Sequence, residues 1–262
     1  MKRLVVISDL HAGHEFGLCP PAWWAQVEDS GARRTKAAKF QRQLWKFYTN
    51  AIDSLKPIDI LCVNGDSIEG KGQGTGGIEL ITSDRNEQVQ MAKEAIDYAE
   101  SPTVRLTFGT QFHTGKEEDF EAILCALVKG KVAIHGHDFF SVNGLKFDVK
   151  HKVGSSAIPH GRHTAIARAR LWNVIWNSEH ERQPKADILI RSHVHAFNYC
   201  GSTSWLGITT PALTYNSSFG IRLCSGLVDV GMIVFDIEDN GEYTWRPILA
   251  SFDKLKVKAE KI

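Results

Sequence analysis

Seven side chains of metal-ligand type sit at telling places in this chain: Asp9 and His11 in D-L-H, Asp66 in V-N-G-D, His113, His151, and His193 and His195 in H-V-H. Carboxylate oxygen and imidazole nitrogen aimed at one point suit a divalent cation of borderline softness. In extended chain, residues i and i+2 share a face, so D-L-H and H-V-H should each present two donors together. One histidine at a strand end is more often hydrogen-bonded structure than a ligand. Seven such residues at one sheet edge are hard to explain as packing, because buried Asp and His cost free energy unless paired or metal-bound. A polynuclear metal site is therefore expected.

The elements that must position them alternate. LVVIS (4–8), DILCVNG (59–65), VRLTFG (104–109), KVAIHG (131–136), LKFDVKH (145–151) and ADILIRSH (186–193) read as strands. Residues 35–55, 86–100, 117–130 and 164–178 carry helical patterns. This βαβα order predicts a parallel or mixed sheet, with every candidate ligand at or just past the C-terminal end of a strand, where open α/β sheets bind ligands. The last third is β-rich. ITTPALTY, LVDVGMIVFDI and YTWRPIL read as antiparallel strands, with hairpin turns at Glu238-Asp239-Asn240-Gly241 and, earlier, at Asn143-Gly144. The fold class expected is α/β with mixed sheets, two sheets packed together with helices outside. All 262 residues are expected in one domain, with a charged, frayed tail from about 253.

Composition narrows the classes. Net charge is +1, so no global electrostatic footprint argues for nucleic acid. The five cysteines are odd in number and spread out, with no C-x-x-C, which reads as a reducing compartment without a cysteine zinc site. Cys19 reads as an incidental thiol. The apolar start breaks at Asp9, too early for a signal peptide, and no run approaches the ~20 apolar residues of a membrane helix. A cytoplasmic protein without a membrane partner is expected. The loop GKGQGTGG (70–77) lacks the G-K-[ST] ending of a Walker motif.

The ordered set D-x-H, G-D, G-x-x-x-H, H and H-x-H resembles the calcineurin-like metallophosphoesterases. Here it reads Asp9-Leu10-His11, Gly65-Asp66, Gly109-Thr110-Gln111-Phe112-His113, His151 and His193-Val194-His195. The resemblance implies a four-layer αββα sandwich and two divalent ions, Mn²⁺ foremost, with Fe, Zn, Co or Ni also suited to the ligands. One metal would be held by Asp9, His11, Asp66 and His195, the other by Asp66, His151 and His193, with Asp66 as the bridge. The ions would lie ~3.5–4 Å apart and share the hydroxide that attacks phosphorus. His113 would be the general acid. One piece departs from the family's G-N-H. Thr110 stands where the Asn would stand, and Gln111 offers an amide oxygen in its place as a metal or substrate contact. The G-T-x-x-H form resembles a variant of phage and prophage relatives.

Substrate features are softer. Trp23 and Trp24 could wall a pocket, but read better as a loop pinned to the core. Arg33, Arg34, Lys36, Lys39, Arg42 and Lys46 form a basic run that would track a phosphate backbone or simply be solvated. His14, near the D-L-H motif, and His160, Arg162 and His163, at a helix start, are candidate substrate contacts. The expectation is a metallophosphoesterase that leans to a phosphodiester in a nucleotide-containing substrate. A nuclease on DNA or RNA and a non-catalytic metal-binding scaffold are the alternatives.

Overall fold

The computed structural model describes residues 1–24, 31–73, 76–114, 119–156, 158–180, 182–215 and 228–252. Eleven strands are present among them: β1 (Lys2–Ile7), β2 (Ile60–Asn64), β3 (Thr103–Thr107), β4 (Lys131–His135), β5 (Asp138–Val142), β6 (Leu145–Lys152), β7 (Ile188–Ser192), β8 (Asn198–Ser202), β9 (Trp205–Thr209), β10 (Gly231–Ile237) and β11 (Tyr243–Leu249). The helices are α1 (Gly31–Leu55), α2 (Arg85–Tyr98), α3 (Gln111–Thr114), α4 (Phe120–Leu127) and α5 (Arg162–His180). None is long and apolar enough to cross a membrane.

Two mixed sheets result. One has the order β11-β10-β1-β2-β3-β4, the other β5-β6-β7-β9-β8. β1 to β4 run parallel, because each is followed by a crossover that returns the chain to the same edge. β10 joins β1 antiparallel and turns into β11 through the Glu238–Gly241 turn, with Gly241 at φ +85°. The β5–β6 hairpin turns on Asn143 and Gly144, both at positive φ, the signature of a type I′ turn.

The apolar runs of β1 and β2 are buried on both faces. Val5, Ile7, Leu61 and Val63 pack under α1, α2 and α4. Leu4, Val6, Cys62 and Phe235 point the other way, against Phe147, Val149, Ile188 and Ile190 of the second sheet. Ile166 of α5 covers that sheet's outer face at Leu189. The layers are thus helix, sheet, sheet, helix, as expected. Asp84 and Asp119 cap α2 and α4 by accepting from the backbone N–H two residues on.

One local expectation needed correction, and two elements had not been expected. ITTPALTY is not an antiparallel strand over its length. β9 ends at Thr209 and lies antiparallel to β8 but parallel to β7; beyond it Pro211 has no N–H to offer a ladder and, among the described residues, only a single bridge, Ala212 to Val230, forms. β8, with Gly201 and polar residues, gave no apolar alternation to find. The segment that carries His113 closes into the short helix α3. The tail from about 253 and the side chains of Arg33, Arg34 and Lys36 lie outside the described residues.

A chain of buried polar side chains ties the two sheets together directly beneath the ligand loops. Thr107 donates to Asn64 Oδ1 (2.6 Å), Asn64 Nδ2 donates to Ser192 Oγ (2.6 Å), and Ser192 and Ser8 each lie 2.7 Å from Thr210 Oγ1. Ser8 ends the chain on the carbonyl of Pro211 at 3.1 Å. With an amide donor at one end and a carbonyl at the other, every hydroxyl donates once in the same direction, and such chains reinforce one another.

Candidate metal centre

Apart from His151, which lies in β6, the candidate ligands do not sit on the strands themselves. β1 ends two residues before Asp9, and β7 ends at Ser192, just before His193. Seven non-glycine residues among those described have positive φ, and five of them are Asp9 (+51°), His11 (+46°), Asp66 (+48°), His193 (+73°) and His195 (+51°). D-L-H and H-V-H therefore bring their pairs together through left-handed turns, not through the extended-chain alternation that the spacing suggested. Asp and His tolerate this region better than most residues, yet a left-handed residue costs ~1–2 kcal/mol. Five such costs at one edge of a fold are the mark of a functional site. The loops are held in register by backbone bonds from Asp9 N to Gly65 O, His11 N to Asp66 O and Ala12 N to Ser67 O, which prolong the β1–β2 pairing past the strands.

Two triads form. Asp9, His11 and His195 bring one ligand atom each within 4.8 Å of one another, and so do Asp66, His151 and His193. In the first, His195 Nε2 lies 3.1 Å from Asp9 Oδ1 and 3.3 Å from His11 Nε2. In the second, His151 Nε2 lies 2.9 Å and His193 Nδ1 3.9 Å from Asp66 Oδ2. Asp9 Oδ1 is also 3.9 Å from His151 Nε2, so the triads adjoin. The second ring nitrogens of two ligands are already engaged. His11 Nδ1 meets Glu69 Oε2 at 2.7 Å, and His151 Nδ1 donates to Asn64 O at 2.7 Å. Both rings are thereby turned to offer Nε2, as metal-bound histidines are. Asp9 Oδ1 is fully buried and makes no hydrogen bond, and two imidazole nitrogens face each other beside it. A buried carboxylate oxygen with no well-formed hydrogen bond, and ring nitrogens converging on it at 3.1 and 3.9 Å, fit a cation.

Glu69 was not singled out from the sequence, although it lies three residues past Asp66. It joins His11 and His113 in a third cluster, with His113 Nδ1 at 3.4 Å from its carboxylate and 3.0 Å from its backbone oxygen. His113 Nε2 then faces Asp66 Oδ2 at 3.9 Å. Thr110 turns inward. Its N–H donates to Asp66 Oδ1 at 2.6 Å and its hydroxyl at 3.2 Å, while Gln111 is exposed on α3. Gly109 must lack a side chain, because a Cβ there would collide with the Asp66 carboxylate and backbone nitrogen. Glu121 fastens this loop to the Asp66 turn, accepting from Gly109 N (2.6 Å) and Ser67 N (2.8 Å). Burial foremost, then the Asp66 charge, pushes its carboxyl up to about 7.

Burial alone would strip the proton from His151, but the Asp66 carboxylate outweighs it and raises the ring to about 10. Burial is likewise overcome at His113, where Glu69 and Asp66 raise the ring to about 9. Burial works against the Asp9 and Asp66 carboxylates too, yet His195 holds Asp9 down to about 2 and His151 holds Asp66 well below the usual range. Without metal, histidine protons stand in for cationic charge. A cation binds only the neutral ring, so it must displace the His151 proton. Divalent-cation affinity should therefore rise with pH up to about 10, by up to ~tenfold per pH unit for each proton displaced. Calorimetric titrations in buffers of different ionisation enthalpy count those protons, and a pH-independent affinity with no proton release would remove His151 from the ligand set.

The softer candidates lie elsewhere. His14 is buried, with Nδ1 accepting from Phe16 N at 3.0 Å and Nε2 3.4 Å from Glu79. Trp23 and Trp24 pack against the core, as preferred, and Trp24 Nε1 donates to Cys19 O. Cys19 is buried, and burial raises its thiol to about 12, so it is inert. No hydrogen bond or ion pair joins His160, Arg162 or His163 to the candidate ligands among the described residues; the first lies in the short 3-10 turn Pro159–Gly161 and the others open α5. Lys39, Arg42 and Lys46 are exposed on α1.

No family model matches the chain, and no curated protein matches its sequence. Solved structures do resemble it in shape. Wild-type Vps29 of Entamoeba histolytica complexed with Zn²⁺ is 13% identical, over 94% of this chain and 98% of that one, with a TM-score of 0.44. A novel archaeal phosphodiesterase is 12% identical, over 94% and 99%, with a TM-score of 0.47. A Thermotoga maritima protein solved by NMR is 13% identical, over 95% and 100%, with a TM-score of 0.40.

Proposed function

We propose that this chain is a metal-dependent phosphoester hydrolase of the calcineurin-like type, acting on a phosphodiester in a nucleotide-containing substrate. Two divalent cations, Mn²⁺ foremost, would be held by Asp9, His11, Asp66 and His195 and by Asp66, His151 and His193. The observation that carries this reading is the pair of adjoining Asp-His-His triads, with the orphaned Asp9 Oδ1 in one of them. Bound there, the cations would supply Lewis-acid charge for phosphoryl oxygens and a source of hydroxide at neutral pH.

The chain's own residues do the rest. The imidazole rings are aimed by Glu69 and Asn64 before any cation arrives. His113 is kept protonated by Glu69, and Nδ1–H donates to the Glu69 carbonyl, so Nε2–H is the proton free to move. It faces the Asp66 carboxylate at 3.9 Å, close enough to the proposed cations to protonate a leaving alkoxide. Thr110 spends its donors on Asp66 Oδ1, fixing the oxygen that does not face His151.

The test is hydrolysis of bis-p-nitrophenyl phosphate and p-nitrophenyl phosphate by metal-stripped protein refilled with Mn²⁺. Metal-restored activity with the diester ahead of the monoester is expected. Two bound cations with no turnover of any phosphoester would favour the scaffold alternative. Salt-dependent binding and cutting of polynucleotide would favour the nuclease, for which the exposed Lys39, Arg42 and Lys46 speak.

A further inference from the structure

Helix α5 is amphipathic the wrong way round. Its inward side is largely polar. Arg170 donates to Ala186 O, Asn173 holds Pro184 O and Ala186 N at 3.0 Å each, and Asn177 donates to Gln183 O at 3.0 Å. Only Ile166 on that side enters an apolar cluster as a fully buried residue. The outward side carries Leu171 (58% exposed) and Trp172 (52% exposed), with Ile175 half-buried beside them. Trp172 stacks on Trp176 at 6.2 Å, which extends the apolar strip along the helix. Large side chains gathered on a solvent-facing helix are a docking surface, since isolated surface apolar residues need no explanation but a contiguous strip does.

The ends of the strip say what covers it. Arg168, Leu171, Ile175 and Glu179 follow one another at spacings of three and four, so they form a single seam. Its centre is apolar, one end is cationic and the other anionic. Two copies laid antiparallel about a twofold axis between Leu171 and Ile175 place Leu171 on Ile175 of the second copy and Arg168 beside Glu179 of the second copy, twice over. A parallel pair would set like charges together. An anionic lipid surface would attract one end and repel the other. We propose that the outward face of α5 docks on the same face of a second copy of this chain, with the two helices antiparallel, an isologous contact. A 19-residue helix is about 28 Å long, so the contact is smaller than the ~800 Å² per partner of a standard interface and the dimer should form at micromolar concentration.

Sedimentation velocity on the full chain from about 1 to about 100 µM tests this. The wild-type chain should pass from monomer to dimer. Leu171→Glu should weaken the dimer more than about tenfold, and Arg168→Glu should weaken it less. Arg168→Glu combined with Glu179→Arg should restore it, a rescue that only antiparallel pairing of these two ends provides. All three positions are exposed, and unchanged circular dichroism melts confirm folding. A wild-type chain that stays monomeric at about 100 µM overturns the proposal, as does a dimer indifferent to Leu171→Glu or a double variant no better than the single one. Monomers that co-sediment with phosphatidylcholine–phosphatidylglycerol vesicles through α5 would replace the second copy with a membrane.

Discussion

Asp66→Asn should cost the chain the cation of the Asp66–His151–His193 triad and lower phosphodiester turnover more than about 100-fold, beyond the ~10–100-fold typical of a supporting partner. The asparagine variant is the informative one. Asp66 has φ +48°, which Asn tolerates and Ala does not, and an amide oxygen can still accept from Thr110 N. What disappears is the negative charge that His151 and His193 face. Asp66→Ala should abolish metal binding and activity as well, with an added loss of stability, because Thr110 N–H and a buried imidazole lose their partner. Metal content per chain, measured by mass spectrometry, separates the two effects. An Asp66→Asn chain that retains two cations per molecule would show the carboxylate to be structural.

His113→Ala should leave the metal content unchanged and remove about 10²–10⁴ of the rate. The ring contributes no atom to either Asp-His-His triad, and its link to the site runs through Glu69 and the 3.9 Å approach to Asp66. The size of the loss should depend on the leaving group. A p-nitrophenolate departs without a proton, while an alkoxide such as a ribose oxygen does not. The variant should therefore be crippled on alkyl diesters and only mildly slowed on the nitrophenyl compound. In the wild type, alkyl-diester turnover should fall as pH rises and the ring loses its proton, a limb that His113→Ala lacks. Equal losses on both substrates, or a loss of metal, would assign His113 another role.

How much of this could be read in advance differs from residue to residue. D-L-H, G-D and H-V-H marked five candidate ligands, and the strand-end His151 a sixth, because donor type and order along the chain survive in one dimension. Their placement past strand ends was also legible, since β1, β2 and β7 are dense apolar runs with abrupt polar ends. The conformation that converges them was not: extended spacing and a left-handed turn give the same string of letters. Glu69 was visible three residues from Asp66 but lacked a partner until folding brought His11 and His113 to it. The chain from Thr107 through Asn64, Ser192 and Thr210 to Ser8 uses residues that look like ordinary strand ends, and only the pairing of two sheets makes it continuous. Trp23 and Trp24 were legible as anchors because two large apolar side chains on a loop must be buried somewhere. α5 misled in a different way, since its regular period said helix correctly while hiding which face is inward.

The left-handed backbones at Asp9, His11, Asp66, His193 and His195 also limit how this centre can be re-engineered. Retuning toward a softer or harder ion normally means exchanging a ligand for Cys or Glu. At these five positions such an exchange carries the backbone cost of ~1–2 kcal/mol on top of any change in coordination, because neither side chain rests easily there. His151 is different, lying within strand β6 with ordinary backbone geometry. Among the candidate ligands it is the one whose exchange carries no left-handed backbone cost, the loss being that of its bond to Asn64 O and of the ring's own metal chemistry.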